Sequence, residues 1–176
     1  VAASKAGDEV NELIEIADIP AAYTLMAAGI VGYDNKRSLG LLGMHGSIAA
    51  NKAVDRADLV VALGARFSDR VALNPKKFAK NAQKIQIDID TSEINKNVLV
   101  DLGVTADVKE FLQRLIPHIK KKDHSDWISI STEWKKRTGD VKCQGAQLHP
   151  DEIIHAVCDL TDKETVYVTD VGQHQM

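Results

Sequence analysis

The residues with the most chemical potential stand in one run, Gly43 to Arg70, GMHGSIAANKAVDRADLVVALGARFSDR. Arg66 and Arg70 bracket Phe67, Ser68 and Asp69 just past an apolar stretch, Leu59 to Leu63, with Gly64 at the junction. Five apolar residues without alternation read as a strand covered on both faces by helices. Polar groups beyond the carboxyl end of such a strand sit where open α/β sheets bind ligands. Guanidinium groups match phosphate oxygens, and a glycine turn that opens a helix offers N–H groups to an anion. The Gly43 to Gly46 turn and the two arginines therefore fit an anionic ligand such as a diphosphate, although each arginine alone is equally well explained by a surface ion pair.

Other reactive residue types carry less. Asp88 and Asp90 end the stretch KIQIDID, where a nucleotide-binding role suits them better than a catalytic acid pair. His45 stands at a helix start, satisfied by the turn or placed near a cofactor. His118, His124, His149 and His155 have no partner at metal-ligand spacing and read as surface or helix-end residues. Cys143 and Cys158 form no metal pattern and read as inert, reduced thiols. Trp127 and Trp134 lack the basic groove of a base-stacking platform, and Lys120 to Lys122 and Lys135 to Arg137 read as solvated charge.

These groups need elements to hold them. A helix is predicted over Ser4 to Ile16, with Val10, Leu13, Ile14 and Ala17 on one face, followed after Pro20 by a strand over Ala21 to Leu25. Met26 to Gly43 reads as a loop, and the next helix has Ile48, Ala49, Val54 and Ala57 as apolar positions before the strand Leu59 to Leu63. After a polar loop through Pro75 and a turn at Lys76 to Lys80, the alternation of Ile85, Ile87 and Ile89 predicts a strand over Lys84 to Asp90 with one less-covered side or an edge position. Thr91-Ser92 opens a helical turn with Ser92 and Glu93 supplying the caps, and Val98 to Val104 is a brief strand. Asp107 caps a helix to about Lys122, shortened or kinked by Pro117, and Ser125 to Arg137 forms another helix carrying Trp127, Ile130 and Trp134. Thr138 to Gln147 reads as a linker. A helix from His149 to Leu160, with Ile153, Ile154 and Val157 inward, and a strand from Glu164 to Thr169 then restart the pattern. The order predicts an α/β fold with a doubly wound parallel sheet.

Composition is that of an ordinary globular chain: 176 residues, 44% hydrophobic, 27% charged, net charge −3. The near-neutral balance argues against nucleic acid or an anionic membrane as the main partner, and no apolar run reaches membrane-spanning length. Two cysteines and no secretory signal pattern predict a cytoplasmic setting. The chain opens without methionine and stops at Met176 just after a strand-like segment, so it reads as a piece of a larger protein.

Five motifs in order carry a resemblance: LGMHG at Leu42 to Gly46, AN at Ala50-Asn51, ADLVVALGARFSDRV at Ala57 to Val71, IDID at Ile87 to Asp90, and DVGQHQM at Asp170 to Met176. From Ile19 onward the chain resembles the thiamine-diphosphate-dependent acetohydroxyacid (acetolactate) synthases. The resemblance implies a Rossmann-like central FAD-binding domain over 1–122, lacking its first strand, a helix and linker over 123–147, and over 148–176 the start of a C-terminal domain that binds thiamine diphosphate. By motif, FAD contacts fall on Thr24, Leu25, Met44, His45, Gly64, Ala65, Arg66, Arg70, Val71, Asp88, Ile89 and Asp107. Val171, Gly172, Gln173 and His174 match the segment that meets the thiamine diphosphate. No catalytic or metal-binding residue is assigned. The family's RFDDR is RFSDR here, so Ser68 removes a carboxylate beside the flavin.

The implied reaction is decarboxylation of pyruvate and carbon–carbon bond formation to a second 2-keto acid, pyruvate or 2-ketobutyrate, in branched-chain amino-acid biosynthesis, with FAD in a non-redox role. Magnesium, a homodimer or tetramer, and a regulatory subunit belong to the implied full-length enzyme, while this piece contributes flavin binding and scaffolding and is inactive alone. Two alternatives stand beside this reading: another thiamine-diphosphate enzyme such as a glyoxylate carboligase, separable by assay with glyoxylate against pyruvate, and a non-enzymatic nucleotide-binding module.

Overall fold

The computed structural model describes residues 1–32, 34–138, 150–162, 164–168, 170 and 172. Its first helix, α1 (Gly7–Ile16), buries Val10, Leu13 and Ile14, and places Asp8 and Glu9 at its positive amino end. Strand β1 (Ala21–Tyr23) follows, then a single 3₁₀ turn at Leu25–Ala27. The segment expected to be a loop contains a strand, β2 (Ser38–Leu41), which pairs parallel with β1. Four residues that include Gly40 at φ +90° offer no alternation, and the pairing with β1 fixes the strand instead.

Helix α2 (Ile48–Arg56) is capped by Ser47, whose Oγ accepts from Ala50 N–H. Its buried stripe is Ala49, Ala50 and Ala53, whereas Ile48, expected inward, is exposed. Small side chains let α2 sit close to Leu39 and, with Trp127 and Trp134, build a core on this side of the sheet. Strand β3 (Leu59–Leu63) then runs to the one-turn helix α3 (Asp69–Ala72). Covered faces were expected for β3, yet only Ala62 is buried and Leu59 is exposed.

Strand β4 (Gln83–Asp88) lies between β3 and β5 (Leu102–Thr105), all parallel. It is a central strand, not an edge, and the alternation in KIQIDID misleads because Gln86 and Ile87 are both fully buried, on opposite faces. Asp90, rather than Ser92 or Glu93, caps the 3₁₀ turn Thr91–Glu93, accepting from Ser92 N–H. Helix α4 (Val108–Leu115) takes its cap from Asp107 and ends in a 3₁₀ turn, Ile116–His118, at Pro117. It shares with α1 a core containing Ile87, Val108 and Leu112. Helix α5 (Ser125–Thr138) packs on α2 with Trp127 and Trp134 edge to face, and buries Ile128 and Ser131 rather than Ile130.

No strand precedes α1 among the described residues, and the sheet divides accordingly into β1–β2 and β3–β4–β5. Strands β1 and β3, each at an edge of its sheet, both line a cleft of about 770 Å³, together with Leu13 and Ile14 of α1 and Ala53 and Val54 of α2. This opening accounts for the incomplete cover of β3.

The chain forms two compact units, Val1–Gly139 and Asp140–Met176. In the second, α6 (Pro150–Asp159) leaves Ile153, Ile154 and Val157 exposed, contrary to expectation. Residues 164–168, expected as a strand, have no strand pairing among the described residues. The expected linker from residue 139, Cys143, His149, Thr169, Val171, Gln173 and His174 lie outside the described residues.

Candidate functional site

Four backbone hydrogen bonds run in a row across the carboxyl ends of the five strands. Leu42 N–H donates to Tyr23 O, Met44 N–H to Arg70 O, Gly64 N–H to Ile87 O, and Ala106 N–H to Asp88 O, at 2.7 to 3.0 Å. Segments far apart in sequence are thereby joined: Thr24 and Leu25 after β1, Met44 and His45 after β2, Gly64 to Val71 after β3, Asp88 and Ile89 after β4, and Asp107 after β5.

The glycine turn is fixed from both sides. Gly43 has φ +112°, and a Cβ there would lie 2.4 Å from Arg70 O, so a bare backbone is required where the two loops touch. On the other side, the Asn51 carboxamide accepts from Gly43 N–H at 3.1 Å and donates to Gly43 O at 2.9 Å. Met44 and His45 project from this turn into solvent.

The loop after β3 is anchored by Phe67, buried at φ +49° and packed edge to face on Phe78. Gln86 donates to Ala65 O and Asn97 to Arg66 O, at 3.1 and 2.9 Å. Arg66 and Arg70 are exposed and take part in no ion pair among the described residues; the recorded side-chain contact of Arg70 is to Met44 Sδ, at 3.8 Å. Two unneutralised guanidinium groups beside bare glycine backbone suit an anionic, bidentate ligand. The Ser68 side chain makes no capping bond to α3.

The acidic residues are more engaged. Buried Asp88 uses Oδ1 to accept from Asp90 N–H, while Ile89 stands open to solvent. Asp107 Oδ1 accepts from both Lys109 and Glu110 N–H. Ser92, through its hydroxyl and its N–H, holds the Asp90 carboxyl below the usual range. Leu25 is exposed and Thr24 lines the rim of the cleft. Gly172 belongs to the second unit. Among the described residues no cluster of histidine, cysteine and carboxylate is arranged to hold a metal ion.

Residue reading alone gave Asn51, Gln86 and Asn97 no role. A side chain that pairs with backbone leaves no period in the sequence, and the one visible sign was a polar Gln86 in the middle of an isoleucine-rich strand.

Residues 1–115 match the family described as thiamine pyrophosphate enzyme, central domain. The chain belongs to the thiamine pyrophosphate enzymes. For this thiamine pyrophosphate enzyme domain, the row of strand-end loops from Thr24 to Asp107 lies wholly inside the matched residues. The chain is 40% identical over 171 residues to the acetolactate synthase large subunit of Lactococcus lactis subsp. lactis (strain IL1403), covering 96% of this chain and 30% of that protein. To the acetolactate synthase large subunit of Cyanidium caldarium it is 39% identical over 181 residues, covering 98% and 31%. To acetolactate synthase 1, chloroplastic, of Nicotiana tabacum it is 38% identical over 180 residues, covering 98% and 27%. The chain thus spans about three tenths of the length of these relatives.

Proposed function

We propose that this chain is the central, FAD-binding part of an acetolactate synthase large subunit, with the beginning of its thiamine-diphosphate domain. The observation that carries this reading is the bonded pair of loops at Met44 and Arg70, which sets two unpaired guanidinium groups and bare glycine backbone along one sheet end. Arg66 and Arg70 would hold the flavin diphosphate, the Met44 to His45 turn and Gly64 would give it close backbone approach, and Ile89 and Leu25 would supply apolar contact. Asp107 contributes through the helix it caps, since its Oδ1 is already shared by two N–H groups.

In this reading the domains divide at 1–122, 123–147 and 148–176, and Val171, Gly172, Gln173 and His174 meet the thiamine diphosphate. That cofactor, when bound, supplies the electron sink for joining two pyruvates, or pyruvate and 2-ketobutyrate, with loss of CO2. Magnesium, a dimeric or tetrameric assembly and a regulatory partner belong to the full-length protein, which we place in the cytoplasm on its cysteine usage. No helix among the described residues is long and apolar enough to cross a membrane.

The test is flavin content. The full-length protein purified with bound FAD should lose it on Arg70→Ala, by about tenfold in affinity for one charge-assisted contact. Unchanged flavin retention in Arg66→Ala and Arg70→Ala would remove the basis for this site.

A further inference from the structure

Three carboxamides on three different segments grip the Gly43 turn and the loop that carries the exposed Arg66 and Arg70. Asn51 of α2 takes both backbone groups of Gly43, Gln86 of β4 takes the carbonyl of Ala65, and Asn97 takes the carbonyl of Arg66. Gln86 also donates to Glu93 O, at 3.1 Å, tying the β3 loop to the turn after β4.

The orientation matters for an anion. A carbonyl oxygen aimed at a phosphate repels it, whereas a peptide N–H attracts it. Capturing the carbonyls of Gly43, Ala65 and Arg66 turns the negative ends of three peptide dipoles into the protein. The surface left for a ligand then carries the exposed Arg66 and Arg70 guanidinium groups, with those carbonyls bonded to protein donors.

Stability alone gives no reason for Gln86. It is fully buried at the centre of the sheet, and its Oε1 has no partner among the described residues. A buried amide with an unsatisfied atom is costlier than an aliphatic side chain of the same size. What an aliphatic side chain would not provide is the grip on Ala65 and Glu93.

We propose that Asn51, Gln86 and Asn97 are positioning residues for an anion-binding edge, fixing loop carbonyls inward without touching the ligand. The ligand half of this inference rests on the flavin reading, and the loop half stands apart from it. Asn51→Asp and Asn97→Asp keep side-chain size and remove the N–H donor. Asn97 is exposed, so Asn97→Asp leaves the buried core untouched and keeps the test open should Asn51→Asp fail to fold.

Hydrogen exchange on the 176-residue chain reads the loop half. Met44 and Gly46 amides should exchange about five to ten times faster in Asn51→Asp, and Gly64 and Val71 amides in Asn97→Asp, with α1 and α4 unchanged. The full-length protein carrying the same substitutions should bind FAD about five to ten times more weakly. Wild-type exchange in both variants overturns the proposal, as does faster exchange with undiminished flavin affinity. A full-length protein that holds no flavin overturns the flavin reading instead, and the exchange result then decides this one.

Discussion

At the scale of single residues, the site depends on positions where a side chain is absent as much as on those where one is present. Gly43 combines a positive φ with an approach to Arg70 O that excludes a Cβ. Gly43→Ala is expected to cost about 1–3 kcal/mol in backbone strain, plus the loss of the contact between the two loops. Gly32→Ala is the matched control, because a Cβ there meets nothing within 4 Å. Thermal unfolding should separate the two, and equal melting of both variants would contradict the strain argument. Arg66 and Arg70 were legible in the sequence because they follow an apolar run and a glycine. Gly43 was legible only as a turn former, since the oxygen that excludes its Cβ belongs to a residue 27 positions away.

Between elements, Arg37 acts as a rivet. It is almost fully buried just before β2, bonding Asp18 through Nε and Nη2 at 3.1 and 2.7 Å and Glu15 through Nη1 at 2.9 Å. Asp18 in turn accepts from His124 N–H, so the end of α1, the start of β2 and the approach to α5 meet at one carboxylate. The His124 N–H first, and Arg37 second, hold the Asp18 carboxyl below its ordinary value. A depressed native pKa contributes stability above the unfolded value, near pH 4, and loses it as pH falls through the lower native value. Asp18→Asn should therefore melt below wild type at neutral pH, and the gap should shrink from about pH 4 downward. A gap of constant size down to pH 3 would show that the carboxylate charge is not what matters. Sequence periodicity found α1 and α4, which bury regular apolar positions, and apolar or alternating runs found β3 and β4. It missed β2, which is short, glycine-containing and preceded by a buried charge whose partners lie in α1 and just beyond it. It misjudged the exposure of β4 because Gln86 counts as polar until its two carbonyl partners are seen.

For the whole molecule, the chain is a thiamine pyrophosphate enzyme domain that spans about three tenths of the length of its relatives. Incubated with pyruvate, thiamine diphosphate, magnesium and FAD, the isolated chain is expected to form no acetolactate; measurable product would refute the division of labour proposed above. The divided sheet also changes how the native state will look in solution. Its apolar cleft, about 770 Å³ and lined by the edge strands β1 and β3, is in the size range of small-molecule pockets. A naphthalene sulfonate dye should enter it and fluoresce while near-ultraviolet circular dichroism from the packed pair Trp127 and Trp134 stays intact. Such dye emission is ordinarily a mark of the molten globule. Here it should accompany cooperative unfolding and vanish with it, so for this chain a bright dye signal would be a sign of nativeness rather than of its loss.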